Sequence, residues 1–297
     1  MFTEKKMSSK SHNSDFRVRS APARLAFAIS FALGVIGLAV LLSAPTDAGA
    51  RSERQITLGK ARQNLEPNCG RNFSRDCVVE GKVTAYQVKR SDAARSFPFS
   101  VPWTGKIVGW SVSLARPTKR EIDDNGTLRP AQEPFFNELF DSPSQAGISV
   151  LRRVNRNQEG PPQWKMVRRS PVENLNSYFG TTVHFALDRP LNVIPKQVVA
   201  LTIPTWAPVL WKPRACNFNA VSGVLDPAAC ARAEANYTWR GSRSQGKCRL
   251  GVDPDTGEPN EALETSRPQT GVDSIRKYGC YYGSNALLYT VTIVGEN

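Results

Sequence analysis

The sequence predicts an all-β fold, an antiparallel β-sandwich or jelly roll, preceded by one N-terminal apolar helix. Three observations support this: short runs of β-forming residues recur along the chain, turn residues separate them, and one long uncharged run stands near the N-terminus. The composition, with 40% hydrophobic residues, 21 Gly and 21 Pro, is that of a globular protein. It excludes a collagen, a coiled coil and a wholly disordered chain.

The first fifty residues predict export. Residues 1–24 form a basic flank, and the run from Leu25 to Leu42 contains no charged residue. Eighteen residues in a helix rise about 27 Å, close to the thickness of the hydrocarbon core of a bilayer. The basic flank holds the N-terminus in the cytoplasm and directs residues 51–297 outward. We therefore expect a signal or transmembrane segment at residues 25–44.

Two fates of this segment stay open. The triplet Ala48-Gly49-Ala50 has the small-x-small pattern that a signal peptidase needs, so the protein would be secreted if it is cleaved after Ala50. The apolar run is longer than the usual core of a signal peptide, which favours an uncleaved anchor. In that case residues 25–44 would hold a single-pass protein in the membrane and at the cell surface.

The cysteines also indicate export, because all of them follow the apolar segment and their number is even. A zinc site is disfavoured, since there is no Cys-x-x-Cys pair and His184 is the one histidine after residue 50. We expect disulfides and neither a metal nor a cofactor. Fifteen pairings are possible, and loop length favours Cys69 with Cys77 and Cys216 with Cys230, which leaves Cys248 with Cys280. Loop length alone does not determine how the six cysteines pair, so the disulfide connectivity stays open.

The strand predictions rest on alternation. In Lys106–Leu114 the residues Val108, Trp110, Val112 and Leu114 fall on one face, which is typical of a half-buried strand. Turn residues such as Asp188-Arg189-Pro190 separate such runs. The predicted strands are Lys82–Val88, Lys106–Leu114, Gly147–Val154, Trp164–Arg168, Thr181–Leu187, Gln197–Ile203 and Ala286–Val294.

The predicted layout places a polar lead-in at residues 45–77 before a β-sandwich domain at residues 78–297. Two insertions interrupt the strand pattern, at residues 117–146 and 212–278. The first contains Pro134–Phe140, which we expect to form a single helical turn. The second is too long for an unsupported loop, and its three cysteines suggest that disulfides hold it in place.

Motifs for catalysis are weak. His184 should face away from the core, and no activated-serine pattern accompanies it. Asp253-Pro254-Asp255-Thr256-Gly257 matches a calcium loop poorly, so a solvated acidic turn is the better interpretation. Paired carboxylates cannot be recognised in one sequence. An extracellular glycan hydrolase that uses two carboxylates therefore stays open as the alternative function.

Several aromatic residues flank the second insertion. Exposed flat rings would give stacking platforms for sugars, whereas buried rings would fill the core of the sandwich. Both interpretations stay open, and Tyr281 and Tyr282 belong to the same cluster. The candidate ligand-binding residues are Trp206, Trp211, Trp239 and Tyr237.

The exported part of the chain is basic. Removing six basic and three acidic residues of the first fifty from the totals of 39 and 26 leaves a net charge of about +10. Such a charge attracts polyanions. The basic residues, among them Arg152, Arg153, Arg240, Arg243 and Lys247, are scattered without a nucleic-acid motif. We expect an anionic wall polymer or lipid headgroups as partner and no nucleic acid, with a generic positive surface as the simpler explanation.

Three stretches carry a family resemblance: residues 102–110 (PWTGKIVGW), residues 199–208 (VALTIPTWAP) and residues 278–282 (YGCYY) with the strand that follows. With them the chain resembles uncharacterised secreted β-rich proteins of actinobacterial type, over most of residues 78–294. In those proteins the cysteines that match Cys248 and Cys280 recur together, which implies that they pair. The resemblance implies an architecture and a location, but no activity or ligand.

Taken together, these patterns favour an extracellular, non-catalytic module that binds a cell-wall polymer or carbohydrate through its loops. The glycan hydrolase is the alternative. A pair of Asp or Glu side chains in a cleft would favour the hydrolase, whereas exposed Trp rings on a concave face without such a pair would favour the binding module.

Overall fold

A computed structural model describes residues 54–60, 65–68, 79–91, 93, 95–118, 121–122, 128–129, 131–154, 159–213, 216, 218–219, 223–224, 226–250 and 259–295. All of them belong to one unit, Arg51–Asn297. The predicted flank 1–24, the apolar segment 25–44 and the site of cleavage after Ala50 lie outside the described residues. Within the part that is described, no helix is both long and apolar enough to cross a membrane.

Antiparallel β-strands dominate the fold, as the alternation predicts. Six of the seven predicted strands are present as single strands, and the seventh is divided in two at Leu288. The strands are β1 (Gln55–Leu58), β2 (Glu80–Arg90), β3 (Gly105–Ser113), β4 (Glu121–Ile122), β5 (Leu128–Arg129), β6 (Gln145–Arg153), β7 (Gln163–Arg169), β8 (Glu173–Asn174), β9 (Thr182–Val193), β10 (Gln197–Ala207), β11 (Leu210–Trp211), β12 (Phe218–Asn219), β13 (Gly223–Val224), β14 (Tyr237–Gly241), β15 (Ile275–Lys277), β16 (Cys280–Gly283), β17 (Ala286–Leu287) and β18 (Tyr289–Gly295).

Two antiparallel sheets contain the longer strands. The large sheet has the order β15-β7-β6-β10-β2-β14-β16, with β8 paired to β6, and the small sheet has the order β1-β18-β3-β9. Three further pairs, β4 with β5, β11 with β17 and β12 with β13, form separate two-stranded ribbons. The terminal strand β18 therefore lies in the interior of its sheet, as its apolar face predicts.

Both sheets contribute to one hydrophobic core. Ile107 and Val291 of the small sheet belong to the same buried cluster as Ile148 and Val199 of the large sheet. One side chain joins the two sheets directly, because the hydroxyl of Tyr289 on β18 donates to the Val199 carbonyl on β10 at 2.9 Å. Alternate residues of each strand thus meet in a common interior.

Helices are few and short. Helix α1 (Gln132–Leu139) occupies part of the first predicted insertion and is longer than the single turn expected there. Pro134 is tolerated because it lies in the first turn, where a helix needs no amide donor. Helix α2 (Pro227–Asn236) is capped by the Asp226 side chain, which accepts from the Ala229 amide at 2.8 Å. A short α3 (Glu261–Thr265) and a 3-10 turn at Asn176–Tyr178 complete the helical segments described.

The second predicted insertion contributes to the main architecture. Strand β14, which lies inside residues 212–278, is paired with β2 on one side and β16 on the other. It is therefore an integral strand of the large sheet. The alternation in this five-residue strand is too short to be recognised against the surrounding turn residues.

Strand β9 contains a wide irregularity where the sequence predicts a turn. Gly109 of β3 is paired with Ala186, but Ile107, only two residues away, is paired with Leu191. The segment Asp188-Arg189-Pro190 therefore bulges out of the strand and is exposed. The chain continues as a strand to Val193 and does not reverse at these residues, which corrects the predicted end of the strand at Leu187.

A buried ion pair lies at one end of the large sheet. The Arg243 guanidinium contacts the Glu80 carboxylate and the Gly81 carbonyl. It also donates a hydrogen bond to the Tyr282 hydroxyl at 2.7 Å. Burial disfavours the charged guanidinium, but Glu80 and then Tyr282 outweigh this effect and raise the pKa of Arg243 above its ordinary value. Burial also raises the pKa of Tyr282 to about 12, against the opposing charge of Arg243.

Two disulfides are present in the described residues. They join Cys216 to Cys230 and Cys248 to Cys280, as loop length and the family resemblance predict. Disulfides indicate an oxidising, extracellular environment for this part of the chain. The predicted partners Cys69 and Cys77 lie outside the described residues.

Candidate functional site

The outer face of the large sheet carries a second, smaller apolar cluster. Neighbouring residues of a strand point to opposite faces, so Ala85 and Val150 enter the shared core while Tyr86 and Leu151 emerge on the other side. The members of this cluster are at most 8% exposed, so they pack as a second, smaller core on that side of the sheet. The members of the cluster are Tyr86, Leu151, Trp164, Met166, Ala200 and Tyr278.

A cavity of about 370 Å³ opens on this face. It spans five neighbouring strands, β7, β6, β10, β2 and β14, and one of its walls comes from the segment that joins β2 to β3. Its lining combines aromatic rings with two arginines and contains no Asp or Glu: Tyr86, Gln87, Val88, Phe97, Phe99, Ser100, Arg153, Gly160, Pro162, Trp164, Val198 and Arg240.

Strand register brings the four main side chains of the cavity together. Arg153 on β6 lies opposite Trp164 on β7, and Arg240 on β14 lies opposite Tyr86 on β2. Paired residues of antiparallel strands project to the same face. Each arginine therefore stands beside an aromatic ring, at the two ends of the same cavity.

The aromatic floor is rigid. The rings of Tyr86 and Trp164 meet edge to face, with 5.2 Å between centroids. Tyr278 packs behind them at 5.7 Å from Tyr86, and its hydroxyl donates to the Gln269 side chain at 2.9 Å. The Gln269 amide in turn donates to the Trp164 carbonyl at 3.1 Å. This hydrogen-bonded chain fixes the position of the rings before any ligand binds.

The two arginines give the cavity its charge. Arg240 donates to the Tyr278 carbonyl at 3.2 Å and lies 5.0 Å from the centre of the Tyr281 ring. Arg153 is half-buried, and its Nε atom is buried without a hydrogen-bond partner among the described residues. Neither guanidinium forms an ion pair with a described carboxylate. Positive charge in the cavity is thus left for a ligand to neutralise.

The tyrosines of the floor do not supply that neutralisation. Burial raises the pKa of the Tyr86 hydroxyl above its ordinary value, against the opposing effect of Trp164 and of the two arginines. Burial raises the pKa of Tyr278 well above the ordinary value, and the neighbouring Tyr86 adds to the effect. Both phenols are neutral at physiological pH, so the cavity keeps the full positive charge of its arginines.

The joining segment between β2 and β3 forms the rim. Phe97 is 68% exposed at this rim, next to the buried Phe99. The Arg95 guanidinium donates to the Ser100 carbonyl at 3.0 Å, and Ser100 forms an isolated bridge with Val198 of β10. These contacts hold the rim against the sheet and present the Phe97 ring to solvent at the mouth of the cavity.

The structure places two of the predicted ligand-binding residues in the core. Trp206 is 0% and Trp239 is 1% exposed. Trp206 lies on β10, where its indole N–H donates to Asn137 of α1 at 3.0 Å. Trp239 lies on β14, stacked on Tyr282 with 3.8 Å between centroids. Of the two interpretations that the sequence leaves open, the structure shows that both rings fill the core, since the stretches that resemble loops in the sequence are interior strands.

The other two predicted residues, Trp211 and Tyr237, lie close together but away from the cavity. Their rings are tilted against each other with 4.7 Å between centroids, and both side chains are half-buried. Tyr237 starts β14, and Trp211 lies on β11, which pairs with β17. They form a small aromatic pair of their own and contribute nothing to the lining of the cavity.

His184 is exposed on β9, opposite Ser111 of β3, and it faces away from the core as the alternation predicts. Among the described residues, no group of three or more His, Cys, Asp or Glu side chains is placed to hold a metal ion. The acidic stretch that starts at Asp253 lies outside the described residues up to Glu258.

The residues that line the cavity could not be recognised as a group in the sequence. Arg153 and Arg240 are 87 positions apart in the sequence, where they look like two of many scattered basic residues. Only the pairing of the strands brings them to one cavity. One signal was present: Trp164 alternates with Met166 in a short strand that also carries Lys165, which indicates an apolar side on that strand. Nothing in the spacing shows which strand lies beside it.

Comparison of the chain with protein-family models, with curated proteins and with solved structures finds no match. The resemblance to secreted β-rich proteins of actinobacterial type stays a prediction. The cavity and its lining residues are therefore the basis for a proposed function.

Proposed function

We propose that this chain is an extracellular β-sandwich module that binds an anionic carbohydrate, such as an acidic wall polymer, without turning it over. The observation that carries the proposal is the cavity on the outer face of the large sheet. There Arg153 and Arg240 stand beside the rings of Trp164 and Tyr86, and no carboxylate lines the space between them.

Charge supports an acidic ligand. A guanidinium binds a carboxylate or a phosphate through two parallel hydrogen bonds, and its charge persists at every physiological pH. Both arginines of the cavity lack an acidic partner among the described residues. The net charge of about +10 on the exported part of the chain attracts a polyanion from a distance and raises its rate of encounter.

The aromatic rings support a sugar. The apolar C–H face of a pyranose packs on flat, exposed rings, and its hydroxyls remain available to polar neighbours. The rings of Trp164 and Tyr86 are only 6% and 8% exposed, so stacking on a sugar is left to the rim of the cavity. Phe97 offers an exposed ring at the rim, and Ser100 of the lining supplies a polar group. The volume of about 370 Å³ lies in the lower part of the range of roughly 300–1,000 Å³ for small-molecule sites, which suits one or two sugar units of a longer chain.

The hydrolase alternative has less support. A glycosidase needs two carboxyl groups about 5 to 10 Å apart on either side of the scissile bond. Three cavities in the described part of the chain, including the one with the two arginines, contain no Asp or Glu in their linings. Binding without catalysis is therefore the function that the geometry favours.

Location belongs to the same proposal. The two disulfides fit an exported chain, and the basic flank followed by an apolar run supplies the means of export. We propose that residues 51–297 lie outside the cytoplasm, either released after cleavage at Ala50 or held by residues 25–44. A cysteine-labelling assay on intact cells tests the location, and N-terminal sequencing separates an end at Arg51 from an end at Met1.

Calorimetric titration with trigalacturonic acid, compared with neutral galactotriose, tests the binding function. We expect saturable binding of the acidic trisaccharide and at least about 10-fold weaker binding of the neutral one, because a hydrogen bond to a charged group contributes about 1.5–3 kcal/mol. Arg153→Gln and Arg240→Gln should each weaken binding about 10-fold or more.

Arg152→Gln is the matched control, since it removes the same charge from the neighbouring exposed residue that does not line the cavity. It should leave the affinity for trigalacturonic acid unchanged. Equal affinity for the neutral and acidic trisaccharides, or an equal effect of Arg152→Gln and Arg153→Gln, would contradict the proposal.

A further inference from the structure

A second cavity, of about 210 Å³, lies against the small sheet and has a different chemistry. Its lining contains four serine and threonine side chains, one lysine and one arginine, and it contains neither a carboxylate nor a tryptophan. The lining residues are Gly59, Lys60, Leu65, Arg90, Ser111, Ser113, Thr182, Leu288, Tyr289 and Thr290.

The hydroxyls come in two hydrogen-bonded pairs across neighbouring strands. Ser111 of β3 and Thr290 of β18 lie 2.6 Å apart, and Ser113 of β3 and Thr182 of β9 lie 2.8 Å apart. A hydroxyl has one proton to donate, so each pair uses one proton internally. The second proton of each pair is free to point toward an acceptor in the cavity.

Two cations stand at the same cavity. Arg90 is 5% exposed at the end of β2, and its guanidinium reaches across to donate to the Gly59 carbonyl at 3.3 Å. Lys60, the next residue after Gly59, is exposed at the opening and forms no ion pair with a described carboxylate. A buried guanidinium and an exposed ammonium thus lie on the two sides of Gly59.

We propose that this cavity binds a tetrahedral oxyanion of the phosphate or sulfate type. Such an anion accepts hydrogen bonds in several directions, which matches hydroxyl donors from two strand pairs and the charged ammonium group of Lys60. The guanidinium of Arg90 adds positive charge behind them while it keeps its contacts within the protein. The first cavity differs because several aromatic rings line it and it lacks serine–threonine pairs. The second site is independent of the proposed saccharide site, since the two linings share no residue.

Calorimetric titration of residues 51–297 with inorganic phosphate tests the proposal, with sulfate as a second probe. We expect saturable binding that Lys60→Gln weakens at least about 10-fold, through loss of a charge-assisted hydrogen bond. Lys60 is exposed, so this variant folds normally. The double variant Ser111→Ala with Thr290→Val removes both members of one pair together and should weaken phosphate binding to a similar extent.

Thr292→Val is the matched control, because Thr292 lies two residues after Thr290 on β18 and does not line the cavity. It should leave phosphate binding unchanged. The proposal is overturned by a lack of saturable binding up to about 10 mM phosphate, or by an effect of Thr292→Val as large as that of the double variant.

A parallel titration with glycerol 3-phosphate identifies the source of the anion. Equal affinity for glycerol 3-phosphate and inorganic phosphate indicates a phosphate ester carried on a larger molecule. Selective binding of inorganic phosphate indicates the free ion. Either result supports the oxyanion site, and in both cases Lys60→Gln should leave the binding of trigalacturonic acid unchanged.

Discussion

Arg153 and Trp164 face each other across strands β6 and β7, so that a guanidinium and an indole ring form one wall of the same cavity. The pairing has a structural cost, because the Nε atom of Arg153 is buried without a hydrogen-bond partner among the described residues. In the function that we propose, the exposed part of this half-buried guanidinium binds the acidic group of the ligand.

A charge-conserving variant separates the two contributions of Arg240. Lysine keeps the positive charge but loses the planar fork that binds a carboxylate through two parallel bonds. We expect Arg240→Lys to weaken the binding of trigalacturonic acid by about 3-fold to 10-fold, less than Arg240→Gln does, as measured by calorimetry. An affinity of Arg240→Lys equal to that of Arg240→Gln would show that charge at this position does not contribute.

The buried pair of Glu80 and Arg243 predicts a large loss of stability. Glu80→Gln leaves the Arg243 guanidinium buried without its counter-charge, and removing one partner of such a pair typically costs about 3–5 kcal/mol. Urea unfolding followed by tryptophan fluorescence measures the change. The double variant Glu80→Met with Arg243→Met should lose less than the sum of the two single variants.

The exposed pair of Lys165 and Asp273 gives the control for that experiment. Their charged groups lie 2.7 Å apart, but the Asp273 side chain is 75% exposed. Lys165 is the first contributor that lowers the pKa of Asp273 below its ordinary value. Solvent screens such a pair, so Lys165→Met should leave the urea midpoint nearly unchanged. A loss equal to that of Glu80→Gln would contradict the role that we assign to burial.

Stability should fall steeply in strongly alkaline solution. The pKa of Tyr282 is raised from the ordinary 10.0 to about 12, and burial raises the pKa values of Tyr278 and Tyr289 as well. The folded state therefore holds phenolic protons that the unfolded state releases first. This contribution is fully present below pH 10 and is lost as the pH rises from 10 to about 12.

Thermal unfolding at a series of pH values, with tyrosinate absorbance recorded in parallel, checks this prediction. The unfolding temperature should be nearly constant below pH 10 and should decrease between pH 10 and about 12. The phenols whose pKa values burial raises, Tyr86 among them, should ionise together with unfolding. Ionisation of all seven tyrosines near pH 10 in a chain that stays folded would show that the prediction is wrong.

Removal of the disulfide between Cys248 and Cys280 should cost more stability than removal of the one between Cys216 and Cys230. The separations are 32 and 14 residues, and the loop-closure model gives about 3.7 and about 3 kcal/mol for loops of these lengths. The longer loop also ends at the fully buried Cys280 of β16.

Paired Cys→Ala variants, each unfolded in urea, measure this difference. Non-reducing peptide mapping should recover the two described pairs, and it should also show whether Cys69 is joined to Cys77. By the same model, the short loop between Cys69 and Cys77 should contribute less than either of the others. A larger loss for the variant that lacks Cys216 and Cys230 would contradict the ranking.

Alternation was enough to locate the long strands. Val108, Trp110 and Val112 share a face in the sequence, and Trp110 and Val112 are buried in the core of the structure. Val108 is only half-buried, because the pairing of β3 shifts between Ile107 and Gly109 and Ile107 enters the core instead. Short strands gave no such signal. Trp239 belongs to a five-residue strand between a helix and a turn, so its burial follows only from the pairing of β14 with β2 and β16.

The candidate site required the sheet order, which no local pattern contains. Trp164 and Arg153 become neighbours through a pairing of β6 with β7, and Tyr86 and Arg240 through a pairing of β2 with β14. Strand β10 then joins the two pairs. Sequence spacing describes residues on one strand, whereas this cavity takes its residues from five strands and a connecting segment.

The irregularity in β9 has a consequence for solubility. Strand β9 is the edge of the small sheet, and an exposed edge offers free amides and carbonyls to any second β-chain. At Asp188-Arg189-Pro190 the edge is bent outward, carries two charges and lacks one amide donor, since proline has none. Another molecule cannot add a continuous strand there, so the bulge protects the folded protein from edge-to-edge aggregation.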